Sequence, residues 1–356
     1  MSLFKDMLRS DQTLFKNPVA LDNDYVPKVI KYRENEQARI AECIKPLLSE
    51  RNGRNLFIWG TPGVGKTLAC RKVLEDLDEQ TDDVYTFLIN CWEHDSSYKI
   101  ILKMCDTIGY HMTFNKKTDQ LFEEVKKIAN KKGAVFVFDE IDKAKDFDFI
   151  YMLLENIYKK TIILITNHRE FLATVDSRLM SRLMPENLEF RQYSAKDIRG
   201  ILKERIKYAF YEDVFEPEAF EMIANKTIES GDVRIGIHLL REAATEAEGQ
   251  SLKAVKKQHA ESAISKLSTF KAKSKDGLED DSRQLLDFIK EHSGLKIGDL
   301  YRVYEPTDPT INYKAFQRRI KKLCDSGFIT VEKVTGGKEG STSIVNYSTT
   351  KKLTEF

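Results

Sequence analysis

Four groups of residues in this chain of 356 can do chemistry by their type and spacing. Gly60-Thr61-Pro62-Gly63-Val64-Gly65-Lys66-Thr67 follows the apolar run Leu56–Trp59 and fits G-x-x-x-x-G-K-[ST], a P-loop whose backbone N–H groups close around phosphate oxygens. Its glycines keep side chains out of the phosphate's way. Lys66 suits the β and γ phosphates and the Thr67 hydroxyl suits Mg²⁺, while the helix that starts near Lys66 and continues through Leu68 turns its positive end to the anion. Ala134–Phe138 is an apolar strand ending in Asp139-Glu140; after a P-loop, Asp139 would hold Mg²⁺ through its water shell and Glu140 would deprotonate an attacking water. The strand Ile162–Thr166 ends at Asn167, which is either a turn-capping amide or a group beside the γ phosphate at the mouth of the sheet. Arg178 and Arg182, in Asp176–Leu183, are either solvated surface arginines or a finger reaching a neighbour's γ phosphate. Arg234, in Gly231-Asp232-Val233-Arg234 at a helix start, is either exposed or folded over the same triphosphate. The chain therefore binds a nucleoside triphosphate.

The elements that must position these groups alternate. Leu56–Trp59, Val84–Asn90, Ala134–Phe138, Ile162–Thr166 and, more weakly, Leu188–Phe190 read as buried strands. Helices fit at Glu36–Glu50, Thr67–Leu77, Ser97–Ile108, Asp119–Lys131 and Phe149–Lys159. This order predicts an α/β domain over 1–193, a parallel sheet covered by helices. Ser194 is a good N-cap for a helix over Ala195–Ala209, and three more helices reach Leu267, which predicts an all-helical unit over 194–267. Ser268–Gly277 is polar and lysine-rich, a linker by composition. Over 278–356, helices at Glu279–His292, Ile297–Val303 and Tyr313–Ser326 precede strands at Phe328–Val334 and Ser343–Tyr347, the order of a winged helix.

Composition narrows the class without naming a partner. Lys plus Arg number 57 against 56 Asp plus Glu, so any basic surface must be local. No apolar run approaches a membrane span, and the N-terminus shows no secretory signal. The five cysteines have no C-x-x-C spacing and read as reduced, buried thiols of a cytoplasmic protein. In the third helix of the winged unit, Lys314, Gln317, Arg318, Arg319, Lys321 and Lys322 surround an apolar face of Phe316, Ile320 and Leu323; this is either a solvated charged face or a surface for DNA phosphates and base edges. Lys338, in the wing, is a further candidate, although the wing also carries Glu339.

P-loop, acidic pair, strand-end Asn, S-R-L arginine and a lid G-D-x-R, in that order, resemble the AAA+ ATPases. More narrowly they resemble the initiator group of archaeal and eukaryotic origin-recognition and cell-division-cycle-six-type proteins. Leu14-Phe15-Lys16-Asn17, Asp24-Tyr25-Val26-Pro27 and Arg33-Glu34-Asn35-Glu36 resemble that group's segment against adenine. The resemblance covers nearly the whole chain and implies an AAA+ P-loop domain, a helical lid and a C-terminal winged helix. It implies ATP/ADP and Mg²⁺ as cofactors, with Tyr25, Val26 and Pro27 lining the base, Gly60 to Leu68 holding phosphate, and Thr67 and Asp139 holding the metal. Lys66, Asp139, Glu140, Asn167, Arg182 and Arg234 would then form the hydrolytic group. The implied function is slow, switch-like ATP hydrolysis in a replication initiator of the nucleoid. Its partners would be double-stranded origin DNA, the replicative minichromosome-maintenance helicase and possible further copies on DNA. A Holliday-junction motor of the same fold and an ATP-gated adaptor of transposition or plasmid systems are the alternatives. The helix at 97–108 occupies the place of the initiators' DNA-contacting insertion and equally fits a plain covering helix.

Overall fold

Side-chain alternation along the apolar runs decides the sheet. A computed structural model describes residues 13–22, 24–276, 280–308, 311–325, 329–334 and 342–347. Strands β1 (Leu56–Trp59), β2 (Val84–Asn90), β3 (Gly133–Asp139), β4 (Lys160–Thr166) and β5 (Glu186–Glu189) pair in parallel in the order β2-β3-β4-β1-β5. One face presents Phe57, Phe136, Phe138, Ile162 and Leu164; the other presents Leu56, Ile58, Val135, Val137, Ile163 and Ile165. Helices must cover both faces, which is why these runs are apolar throughout instead of alternating with polar residues. The first face lies under α3 (Ser97–Thr107), α4 (Thr118–Ala129), α5 (Asp148–Asn156) and α6 (Ser177–Leu183); the second lies under α1 (Glu34–Ile44) and α2 (Lys66–Gln80). On the edge strand β5, Glu186 takes ion pairs from Arg39 and Arg54, which places charge where an open strand edge needs it.

The helix expected over Glu36–Glu50 is α only to Ile44 and then tightens to a 3₁₀ turn, Lys45–Ser49. Pro46 has no N–H to continue the ladder, and the Glu42 carbonyl takes a guanidinium hydrogen bond from Arg54 (3.2 Å). In α3, Ile100, Ile101, Met104 and Cys105 are buried in the core, so this helix covers the sheet with its apolar face.

The lid follows β5. Ser194 caps α7 (Ala195–Ala209) in a capping box: its hydroxyl accepts from the Asp197 N–H (3.2 Å) and its own N–H donates to the Asp197 carboxylate (3.0 Å). Helices α8 (Pro217–Ser230), α9 (Val233–Gly249) and α10 (Lys257–Asp276) complete it. Contacts divide the chain into two units, Met1–Ile264 and Ser265–Phe356, and the boundary falls inside α10. The segment 268–277, expected to be a linker, is helical through Asp276: it continues α10 with no Gly or Pro before Gly277, and Lys271, Ala272, Lys273 and Lys275 favour a helix.

In the second unit α11 (Asp280–Glu291), α12 (Ile297–Tyr304) and α13 (Tyr313–Asp325) enclose a core of Leu285, Ile289, Leu300, Tyr304, Phe316, Ile320 and Leu323. Strands β6 (Leu295–Lys296), β7 (Ile329–Val334) and β8 (Thr342–Tyr347) pair antiparallel in the order β6-β8-β7, a winged-helix arrangement. The wing residues 335–341, with Lys338, lie outside the described residues. Among the described residues no helix is long and apolar enough to cross a membrane, and all five cysteines are free thiols.

Candidate active site

Strand order brings the motifs together. Because β4 lies between β3 and β1, the carboxyl end that carries Asn167 sits between Asp139 and the P-loop; Trp59 is in register with Thr166, and Asn90 with Asp139. These ends and the lid enclose a cleft of about 480 Å³. Its walls include Pro62, Gly63, Gly65 to Leu68, Asp139, Glu140, Asn167 and Arg234.

Lys66 is buried and donates to the carbonyls of Gly60 (2.8 Å) and Thr61 (3.0 Å) and to the Asn167 side-chain oxygen (2.7 Å). Burial lowers its pKa to about 8, with nearby Arg234 acting in the same direction and Asp139 opposing. The Thr67 hydroxyl donates to one Asp139 oxygen (2.6 Å), and the Glu140 N–H donates to the other (2.9 Å). Burial raises Asp139 above the usual carboxylate range against those two bonds. Glu140 is also raised, first by burial and then by the charges of Asp139 and Asp142. Its backbone lies in the left-handed region (φ 52°), directly after the strand. Asp142 braces this corner, accepting from the Thr166 hydroxyl (2.6 Å) and from Lys143 (2.9 Å). Burial pushes Asp142 up, but these partners more than offset it and leave its carboxyl below the usual range.

Gly63 (φ 77°) and Gly65 (φ 88°) adopt the left-handed backbone that the loop requires. A Cβ at Gly63 would also lie 2.0 Å from an Asp232 carboxylate oxygen of the lid. That carboxylate caps α9 by accepting from the Arg234 N–H (2.9 Å), and it holds the Arg234 guanidinium at 2.7–3.2 Å.

The expected residues do not all meet in the cleft. Pro27 lines it, but Tyr25 and Val26 do not: the Arg205 guanidinium lies over the Tyr25 ring (4.9 Å) and bonds the Ala20 carbonyl (2.9 Å), which ties that stretch to α7. Thr61 and Val64 contribute backbone only; the Val64 side chain is buried in the sheet core. Arg182 stays away from the cleft of its own chain, pairing with Glu155 and lying over the Tyr151 ring (4.9 Å), beside Asn55 and Lys160 at the amino ends of the strands. On α13, Lys314, Gln317, Arg318 and Lys321 are exposed, whereas Arg319 is half-buried and paired with Asp308 (3.2 Å). The Lys322 side chain is outside the described residues.

Sequence reasoning missed the lid wall of the cleft. Ile201, Glu204, Arg205 and Tyr208 line it from α7, and Tyr193 lines it from the segment just before. Their spacing of i, i+3, i+4 and i+7 is a one-face signal that was present in the sequence.

Comparison with known proteins accords with this geometry. Residues 49–172 match the family model of an AAA domain, and residues 199–265 match that of the Cdc6 AAA+ ATPase-type lid domain. The chain is 30% identical over 368 residues to "ORC1-type DNA replication protein 1" of Archaeoglobus fulgidus, covering 96% of this chain and 90% of that protein. It is 27% identical over 359 residues to "ORC1-type DNA replication protein 2" of Methanosarcina acetivorans, covering 96% and 95%. The Aeropyrum pernix ORC1 protein, solved in complex with DNA, superposes with a TM-score of 0.71 at 24% identity over 94% of this chain and 93% of that one. Identity of 30% across nearly the whole length places the chain among the ORC1-type DNA replication proteins, as a replication initiator with a nucleotide-binding AAA+ ATPase core.

Proposed function

We propose that the cleft takes ATP with Mg²⁺, that slow hydrolysis switches the chain between two DNA-binding states at a replication origin, and that the ATP state helps recruit the replicative minichromosome-maintenance helicase. One observation carries the nucleotide part: Lys66, Asn167, Thr67 and Asp139, drawn from three separate elements, meet through bonds of 2.6–2.7 Å at the mouth of the sheet, under Arg234 of the lid. The P-loop amides from Gly60 to Leu68 would receive phosphate and Pro27 would face the base. A hydroxyl and a carboxylate at hydrogen-bond distance are hard oxygen donors that fit Mg²⁺, which would supply charge neutralisation of the phosphates. Glu140 would take the proton of the attacking water, and its raised pKa suits a base working near neutrality. Asn167 would orient that water while holding Lys66. Arg182 would serve a neighbouring copy on DNA, since it lies away from its own cleft.

The Lys66 pKa has a measurable consequence. Phosphate needs the charged amine, and a pKa of about 8 leaves it mostly protonated at pH 7 and mostly neutral at pH 9. Binding must then take up a proton, so the triphosphate dissociation constant should rise about tenfold between those pH values. Titration calorimetry in buffers of different ionisation enthalpy checks both the rise and the proton uptake; a flat profile would contradict it.

DNA binding rests on the exposed cations of α13 and on the shared fold with a protein solved on DNA. Replacing Lys314 and Arg318 with Ala should reduce the slope of log K against log salt by about 0.9 per lost phosphate contact. Fluorescence anisotropy on origin and random duplexes tests it, and an unchanged slope would remove α13 from the interface.

A further inference from the structure

Arg33 is a buried cation outside the cleft, 4% exposed. It sits between the P-loop backbone and the segment Phe190–Tyr193. Its Nε donates to the Val64 carbonyl (3.1 Å), one terminal nitrogen pairs with Glu36 (2.6 Å), and the other donates to the Arg191 carbonyl. The guanidinium also lies over the rings of Tyr193 (4.0 Å) and Phe190 (5.2 Å). Phe190 to Ser194 is the strand-to-lid connection, between the end of β5 and the start of α7.

That connection touches the P-loop at two points. A Cβ at Gly60 would lie 2.3 Å from the Phe190 carbonyl oxygen, and a Cβ at Gly65 would lie 2.9 Å from the Tyr193 hydroxyl. Arg33 fills the space between these points with a rigid, multiply bonded fork. A buried charge carries a desolvation cost that an apolar side chain of similar volume would not. Filling space therefore does not by itself account for an arginine here, whereas directional bonds to two backbone segments do.

We propose that Arg33 is a positioning residue that couples the phosphate loop to the lid: displacement of the Val64 carbonyl as phosphate enters is passed through the guanidinium to Arg191–Tyr193 and so to α7. The inference rests on the nucleotide reading of the cleft. Arg33→Lys keeps the charge and loses the fork.

Spin labels on Glu79→Cys (α2) and Glu218→Cys (α8), both exposed sites, in a Cys324→Ser background report the core-to-lid distance by pulsed electron resonance. The full chain is compared with Mg·ADP and with a non-hydrolysable ATP analogue, and nucleotide affinity is measured in parallel. In the otherwise unaltered chain the two nucleotides should give different distances. In Arg33→Lys the difference should shrink at least about fivefold while both nucleotides still bind, a loss within the range of site-to-site coupling energies. An undiminished difference in Arg33→Lys, or none in the unaltered chain with nucleotide bound, would overturn the coupling. Failure of the unaltered chain to bind nucleotide would instead overturn the reading of the cleft, and the coupling with it. If Arg33→Lys does not fold by circular dichroism, Tyr193→Leu at saturating nucleotide removes a ring beneath the guanidinium; the same loss supports the coupling, and a full difference overturns it.

Discussion

Glu140→Gln is expected to leave nucleotide binding intact and to slow hydrolysis about 10²–10⁴-fold, the usual contribution of a positioned general base. Gln has nearly the shape of Glu and can keep the left-handed backbone at φ 52°, where the Glu140 N–H bonds Asp139. It cannot accept a proton. It also removes a carboxylate that is disfavoured by burial and by the charges of Asp139 and Asp142, so the fold should lose nothing. In the native chain the base is the ionised form, and a raised pKa means that hydrolysis falls with acid at a higher pH than for an ordinary carboxylate. Single-turnover hydrolysis across pH measures both the slowing and the loss of that acid limb. A rate within about twofold of native would place the base elsewhere.

Lys66→Ala is expected to weaken triphosphate binding by about 2–5 kcal/mol, roughly 30- to 5,000-fold. The loss exceeds a single hydrogen bond because Lys66 organises its surroundings. Its amine satisfies the Gly60 and Thr61 carbonyls and fixes the Asn167 side chain, so alanine leaves three acceptors without that donor as well as the phosphate without its cation. Calorimetry with Mg·ADP and with a triphosphate analogue separates the parts: the triphosphate should lose more if, as proposed, Asn167 and Arg234 serve the γ-phosphate end. Equal losses would remove Asn167 from that role.

The sheet was legible because it rests on local signals. An uninterrupted apolar run such as Ala134–Phe138 reads as a doubly covered strand, and the acids just past its end sit at the sheet's mouth. The α7 helix and its cap were equally readable, since Ser194 and Asp197 form a reciprocal pair within three residues. What escaped depends on distant partners. Nothing local says that Arg33 lies under Tyr193 and bonds Arg191, 158 residues away, or that Arg205 draws Tyr25 off the cleft wall. The polar stretch after Leu267 reads as a linker by composition, yet it holds no helix breaker before Gly277 and continues α10. Strand β6, two residues long, carries no periodicity and exists only because β8 pairs with it. The motif makes Arg182 a finger candidate, yet its pairing with Glu155 and Tyr151 on α5 is a tertiary fact.

If the cleft takes a triphosphate as proposed, Arg234 should leave Asp232 for the γ phosphate. A crystal structure of the chain with Mg²⁺ and a non-hydrolysable ATP analogue tests this most directly. It should show the γ phosphate contacted by Lys66, Asn167 and Arg234, with the metal beside Thr67 and Asp139 and Arg234 released from Asp232. A nucleotide bound elsewhere, or Arg234 still held by Asp232 with the triphosphate in place, would contradict it.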